Sequence, residues 1–90
     1  MEVKKWFEME KIEIETWKNS IVIKGRYVKP EVLSKIKEKF SNNLMRTVSF
    51  NCSKDKIFFD CEIGKDVMLS DLLDCVLSSQ LINMSENKKE

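Results

Sequence analysis

Residues 55–77 read DKIFFDCEIGKDVMLSDLLDCVL, and the spacing of apolar side chains in this run decides the fold. Ile57, Phe59, Cys61 and Ile63 recur at every second position, the period of a half-buried strand. Past Gly64 the period changes. Met68, Leu69, Leu72, Leu73, Cys75, Val76 and Leu77 follow at helical spacing, which predicts a helix from about Asp66 to Leu81. A strand that leads directly into a helix is one half of a larger plan.

Working outward, Val48, Phe50 and Cys52 alternate against Ser49 and Asn51, and Lys54-Asp55 supplies a turn into the strand at Ile57. The alternation predicts a core-facing stripe for those three residues. Earlier still, KIEIETW at 11–17 alternates, Lys18-Asn19 turns, and Ser20–Lys24 returns, which sets Ile14 beside Ile23 and Thr16 beside Ile21. Phe7 and Met9 fall out of phase with Ile12 and Ile14, so a bulge is expected near Glu10-Lys11. Pro30 suits a first helical turn, and Val32, Leu33, Ile36 and Phe40 form one apolar stripe before Asn42-Asn43 ends the helix. Shifting the chain by 36 residues superposes Ile21 on Ile57, Ile23 on Phe59, Leu33 on Leu69 and Ile36 on Leu72. The expected fold is α+β: a two-layer sandwich with a four-stranded, largely antiparallel sheet and two helices on one face, strand-strand-helix twice over. Residues 1–84 make one domain in this reading, and 85–90 a disordered polar tail.

Composition narrows the chemistry. The 90 residues carry 16 basic and 15 acidic side chains, a net charge of +1, so bulk charge does not point to a polyanion. The charge is uneven, however: residues 1–46 hold 11 basic and 7 acidic side chains, residues 47–90 hold 5 and 8. There is no histidine, which removes the usual proton shuttle and the commonest metal ligand. Cys52, Cys61 and Cys75 lack CxxC spacing and fall at positions expected to face the core. With two glycines, Gly25 and Gly64, no phosphate-cradling loop can be built. These features predict a non-catalytic protein with no metal and no cofactor. An odd cysteine count, no apolar leader and no membrane-spanning run predict a cytoplasmic location.

Two surfaces stand out as candidates for binding. On the second helix the apolar residues cover an arc of about 200°, roughly twice that of the first helix, which is more than one sheet face buries. Met68, Leu69, Leu73, Cys75, Val76, Leu77 and Leu81 are therefore the expected protein interface, with a second copy, a paralogue or a larger protein as partner. Lys29, Lys35, Lys37, Lys39 and Arg46 form a basic surface that would track a phosphate backbone, tRNA included, without reading sequence. The sheet's solvent face is expected to carry Trp17 and Phe58 for stacking, but also Glu13, Glu15, Asp60 and Glu62, which repel phosphate.

The run Leu69-Ser70-Asp71-Leu72-Leu73-Asp74-Cys75-Val76-Leu77, with the hairpin before it from Val48, resembles the small dimerisation subunit of the KEOPS complex. Ser70, Asp74 and Cys75 stand where that family has arginine, asparagine and serine. The resemblance implies an accessory subunit in threonylcarbamoyladenosine modification of tRNA, pairing with itself or a paralogue and presenting helices to a larger catalytic subunit. Two other classes compete with the docking subunit: a nucleic-acid-binding module on the basic surface, and a stand-alone inhibitor from a phage or mobile element.

Overall fold

A computed structural model describes residues 9–53, 55–77 and 82–86. In chain order they form β1 (Lys11–Thr16), β2 (Ser20–Val28), α1 (Pro30–Lys39), β3 (Leu44–Ser53), β4 (Lys56–Gly64), α2 (Leu69–Cys75) and β5 (Ile82–Glu86). The sheet runs β3-β4-β2-β1-β5. The expected α+β sandwich is present, with four antiparallel strands and two helices that pack together over one face. β1 and β2 pair as their alternation requires, Ile14 opposite Ile23 and Thr16 opposite Ile21, and the Trp17 amide donates to the Ser20 carbonyl at 2.8 Å.

A fifth strand extends this plan. β5 pairs in parallel with β1, Ile82 opposite Ile12 and Met84 opposite Ile14, and it reaches Glu86 where a tail was expected from residue 85. Residues 87–90 lie outside the described residues. The strand also explains why the second helix is short. α2 spans seven residues, Leu69–Cys75, and not the stretch from 66 to 81. Its last turn tightens, with the Val76 amide donating to the Leu73 carbonyl at 3.1 Å. Val76, where the helix ends, is a weak helix former. The open edge of β1 gives the following apolar residues a strand partner instead.

Ile12, Ile14, Ile21, Ile23 and Val28 meet Val32, Leu33, Ile36 and Phe40 of the α1 region, Ile57, Phe59, Cys61 and Ile63 of β4, and Leu72, Cys75 and Val76 of the α2 region. α1 begins with Pro30 in its first turn and has Glu31 near its N-terminus and Lys37 and Lys39 near its end, each charge complementing the helix dipole. β2 outruns its expected end at Lys24 through a bulge. Gly25 lies opposite Phe59 and Val28 opposite Ile57, so Arg26 and Tyr27 together face Phe58. Tyr27 takes a left-handed backbone, φ 54°, to make this turn. β1 starts at Lys11, and the bulge expected near Glu10-Lys11 turns on the phase of Phe7, which lies outside the described residues.

β3 departs most from its sequence pattern. Ser53 sits opposite Lys56, but Asn51, not Cys52, sits opposite Ile57. Cys52 is an extra residue, and the slip of one position turns the whole stripe over. Ser49 and Thr47 now oppose core-facing Phe59 and Cys61, whereas Phe50 and Val48 oppose Phe58 and Asp60 on the outer face. A second extra residue, Met45, restores Leu44 to the helix side opposite Ile63. Val48 and Phe50 are therefore exposed rather than core, and so is Cys52.

Candidate functional site

The sheet face turned away from the helices is built from alternate residues of four strands. Lys11, Glu13 and Glu15 come from β1, Val22, Lys24 and Arg26 from β2, Phe58, Asp60 and Glu62 from β4, and Arg46, Val48 and Phe50 from β3. One end of the face is a mesh of charge. There Lys24 meets Glu15 at 3.3 Å and Arg46 meets Glu62 at 3.6 Å, and further along β1, next to Arg26, Lys11 meets Glu13 at 3.3 Å. The Trp17 indole donates to Glu15 at 3.3 Å, and the Ser20 hydroxyl donates to Glu62 at 3.0 Å. The carboxylates that the sequence placed around Trp17 and Phe58 are there, but three of them are matched by cations on the same face.

The other end is aromatic. Phe58 lies between Tyr27, edge-on at 4.9 Å between centroids, and Phe50, stacked at 5.9 Å. The two bulges make this cluster. The β2 bulge swings Tyr27 over Phe58, and the Cys52 slip brings Phe50 onto the same face. Phe50 remains 56% exposed and Val48 43% exposed. Lys24, Arg26 and Asp60 border the cluster. Periodicity located Phe58 on this face but assigned Phe50 to the core and gave Tyr27 no place. A Gly-Arg-Tyr sequence inside a strand was the available signal, since an internal strand glycine often marks a bulge.

The residues expected at a protein interface on the second helix separate into three groups. Val76 and Cys75 are buried in the core, and Leu73 packs against it, so these three already have partners within the chain. Met68, Leu69 and Leu77 are exposed. Leu81 lies outside the described residues. The basic set is also divided. Lys29, Lys35, Lys37 and Lys39 are exposed on or beside α1, but Arg46 points from the opposite face of the sheet, where it pairs with Glu62. Lys35 and Lys39 line a shallow groove with Glu38, Asp74 and Cys75, so part of the helix's positive charge faces an aspartate.

No group of three metal-ligating side chains occurs among the described residues. Nor is any helix among them long and apolar enough to cross a membrane. Burial pushes the Cys61 and Cys75 thiols up, against smaller opposing effects from the Thr47 hydroxyl on Cys61 and from Lys39 on Cys75. A raised value means less thiolate at any given pH, so both are poor nucleophiles. With iodoacetamide at neutral pH, Cys52 is expected to be alkylated first, Cys75 at the wall of its groove more slowly, and Cys61 only on unfolding. Peptide mapping of the partly modified protein reads this directly, and early modification of Cys61 would contradict the burial. Compared with protein families, curated proteins and solved structures, the chain matches none.

Proposed function

We propose that the chain is a non-catalytic docking subunit that binds another protein chain through the outer sheet face at β3. The observation that carries this is the exposure of Phe50 and Val48 beside the Tyr27–Phe58 pair. Large aromatic side chains held rigid by their neighbours make good anchors, because little side-chain freedom is lost on binding. The balanced charge around them favours a protein over a phosphate backbone. A cytoplasmic location fits the free thiols and is part of the proposal.

Phe50→Asp tests the reading. It is expected to abolish co-purification of the partner from native cells while moving the thermal midpoint little, since the side chain is exposed. Retention of the partner by Phe50→Asp, with loss in Leu77→Asp, would shift the docking surface to the second helix and its exposed Met68, Leu69 and Leu77. The narrower form of this proposal, suggested by the likeness to the KEOPS subunit, makes the partner a tRNA-modifying catalytic subunit. A nucleic-acid role would rest on α1 and its neighbouring Lys29 alone, because Arg46 lies on the other face.

A further inference from the structure

β3 is the terminal strand on its side of the sheet, paired with β4 and with no other strand among the described residues. An open edge offers a row of amides and carbonyls to any passing strand, and proteins usually guard such edges with charge. This edge is thinly guarded. About a third of the chain is charged (34%), yet LMRTVSFNCS contains only Arg46, and that guanidinium is held by Glu62. The extra residues at Met45 and Cys52 break the edge near each end, leaving a regular window from Arg46 to Asn51.

We infer that a second copy of the chain docks here, β3 against β3 in antiparallel register about Ser49. This rests on the docking reading above and names the occupant of its surface. The sequence of the window favours that register. Two identical antiparallel strands in one sheet are related by a two-fold axis perpendicular to it, so facing residues must lie on the same side of the sheet. Centring on Ser49 sets Val48 opposite Phe50 of the second copy, and the reverse, so the four exposed apolar side chains meet on the outer face. Thr47 then faces Asn51, and Arg46 faces Cys52, so no like charges oppose. Centring one residue earlier would put Arg46 opposite Phe50 and leave Val48 against Val48 as the one apolar pair in place of two. In the Ser49 register the aromatic row Tyr27–Phe58–Phe50 continues onto Val48 of the second copy. Two windows of this length make a small interface, in the class of weak and reversible contacts that bury less than about 1,200 Å² in total.

The axis gives a geometric test. In a Cys52→Ser background, Ser49→Cys is the variant whose introduced thiols face one another, with Cα atoms about 5 Å apart, within disulfide range. Thr47→Cys and Asn51→Cys set their own copies four residues out of step, roughly 13 Å along the strand, and do not bridge. The expected result is a disulfide dimer from Ser49→Cys alone under mild oxidation. Sedimentation of the unmodified chain should also rise toward twice the 10.6 kDa monomer mass between about 1 and 200 μM. Phe50→Lys should raise the dissociation constant roughly tenfold or more. A monomer throughout that range would overturn the inference, as would equal bridging at 47, 49 and 51. Far-ultraviolet circular dichroism of each variant confirms that it is folded. If the chain is monomeric while Phe50→Asp still abolishes co-purification of another protein, the second copy is wrong and the docking reading stands.

Discussion

Gly25→Ala is expected to destabilise the protein by about 3 kcal/mol, the upper part of the range for an overpacked core. For a domain of this size that lowers the thermal midpoint by roughly 10–20 °C. A Cβ at residue 25 would lie 2.3 Å from Cε2, 2.7 Å from Cζ and 2.8 Å from Cδ2 of Phe59. The ring cannot swing aside cheaply. It is 1% exposed and fills the centre of the core among the isoleucines of β1 and β2. Replacing glycine also stiffens the unfolded chain, which by itself would stabilise by ~0.4–1 kcal/mol, too little to offset the clash. The check is a double-mutant cycle with Phe59→Leu, which removes the ring atoms nearest to residue 25. Combining the two should recover at least about 1 kcal/mol relative to the sum of the single changes. Additive effects would mean that the ring and residue 25 do not touch.

The same pair shows where the sequence was readable and where it was not. In β4 the alternation Ile57, Phe59, Cys61, Ile63 predicts its own burial because the extra residues lie in the neighbouring strands β2 and β3, and β4 itself carries none along that run. The first hairpin is legible for the same reason: no extra residue intervenes between Thr16 and Lys11 or their partners. β3 has an equally clear alternation and the opposite outcome. Period alone says that Val48, Phe50 and Cys52 share a face, but which face depends on the register against β4, and one unpaired residue reverses it. Nothing in Asn51-Cys52-Ser53 announces a bulge. The candidate site was hidden by this reversal, since two of its three rings reach the outer face through bulges. The second helix fails for a different reason. Its wide apolar arc predicts an interface with another chain, but Cys75 and Val76 are buried in the chain's own core and Leu73 packs against it, which leaves Met68, Leu69 and Leu77 exposed. The helix is also shorter than its apolar spacing suggests, ending at Cys75, and Ile82–Glu86 pairs as a strand on the edge of the sheet at β1.

Leu72→Ala and Leu77→Ala are expected to differ by several kcal/mol although five residues separate them. Leu72 is fully buried at the middle of α2, where its side chain joins the cluster of β1, β2, β4 and α1 residues. Truncation there removes apolar contacts and leaves a void, a loss of ~2–5 kcal/mol. Helix propensity does not compensate, because leucine and alanine differ by only a few tenths of a kcal/mol. Leu77 is 69% exposed beyond the helix end, so its truncation should fall within about 0.5 kcal/mol of the parent. Urea unfolding of both variants, read as a change in midpoint with unchanged slope, separates the two. The contrast also bears on what the helix is for. A helix serving mainly as a docking face would show a small folding effect at Leu72 and its large effect in partner binding. A large loss at Leu72, with Leu77 silent in both folding and binding, would make α2 a lid on the core and leave the outer face of β3 as the surface for a partner.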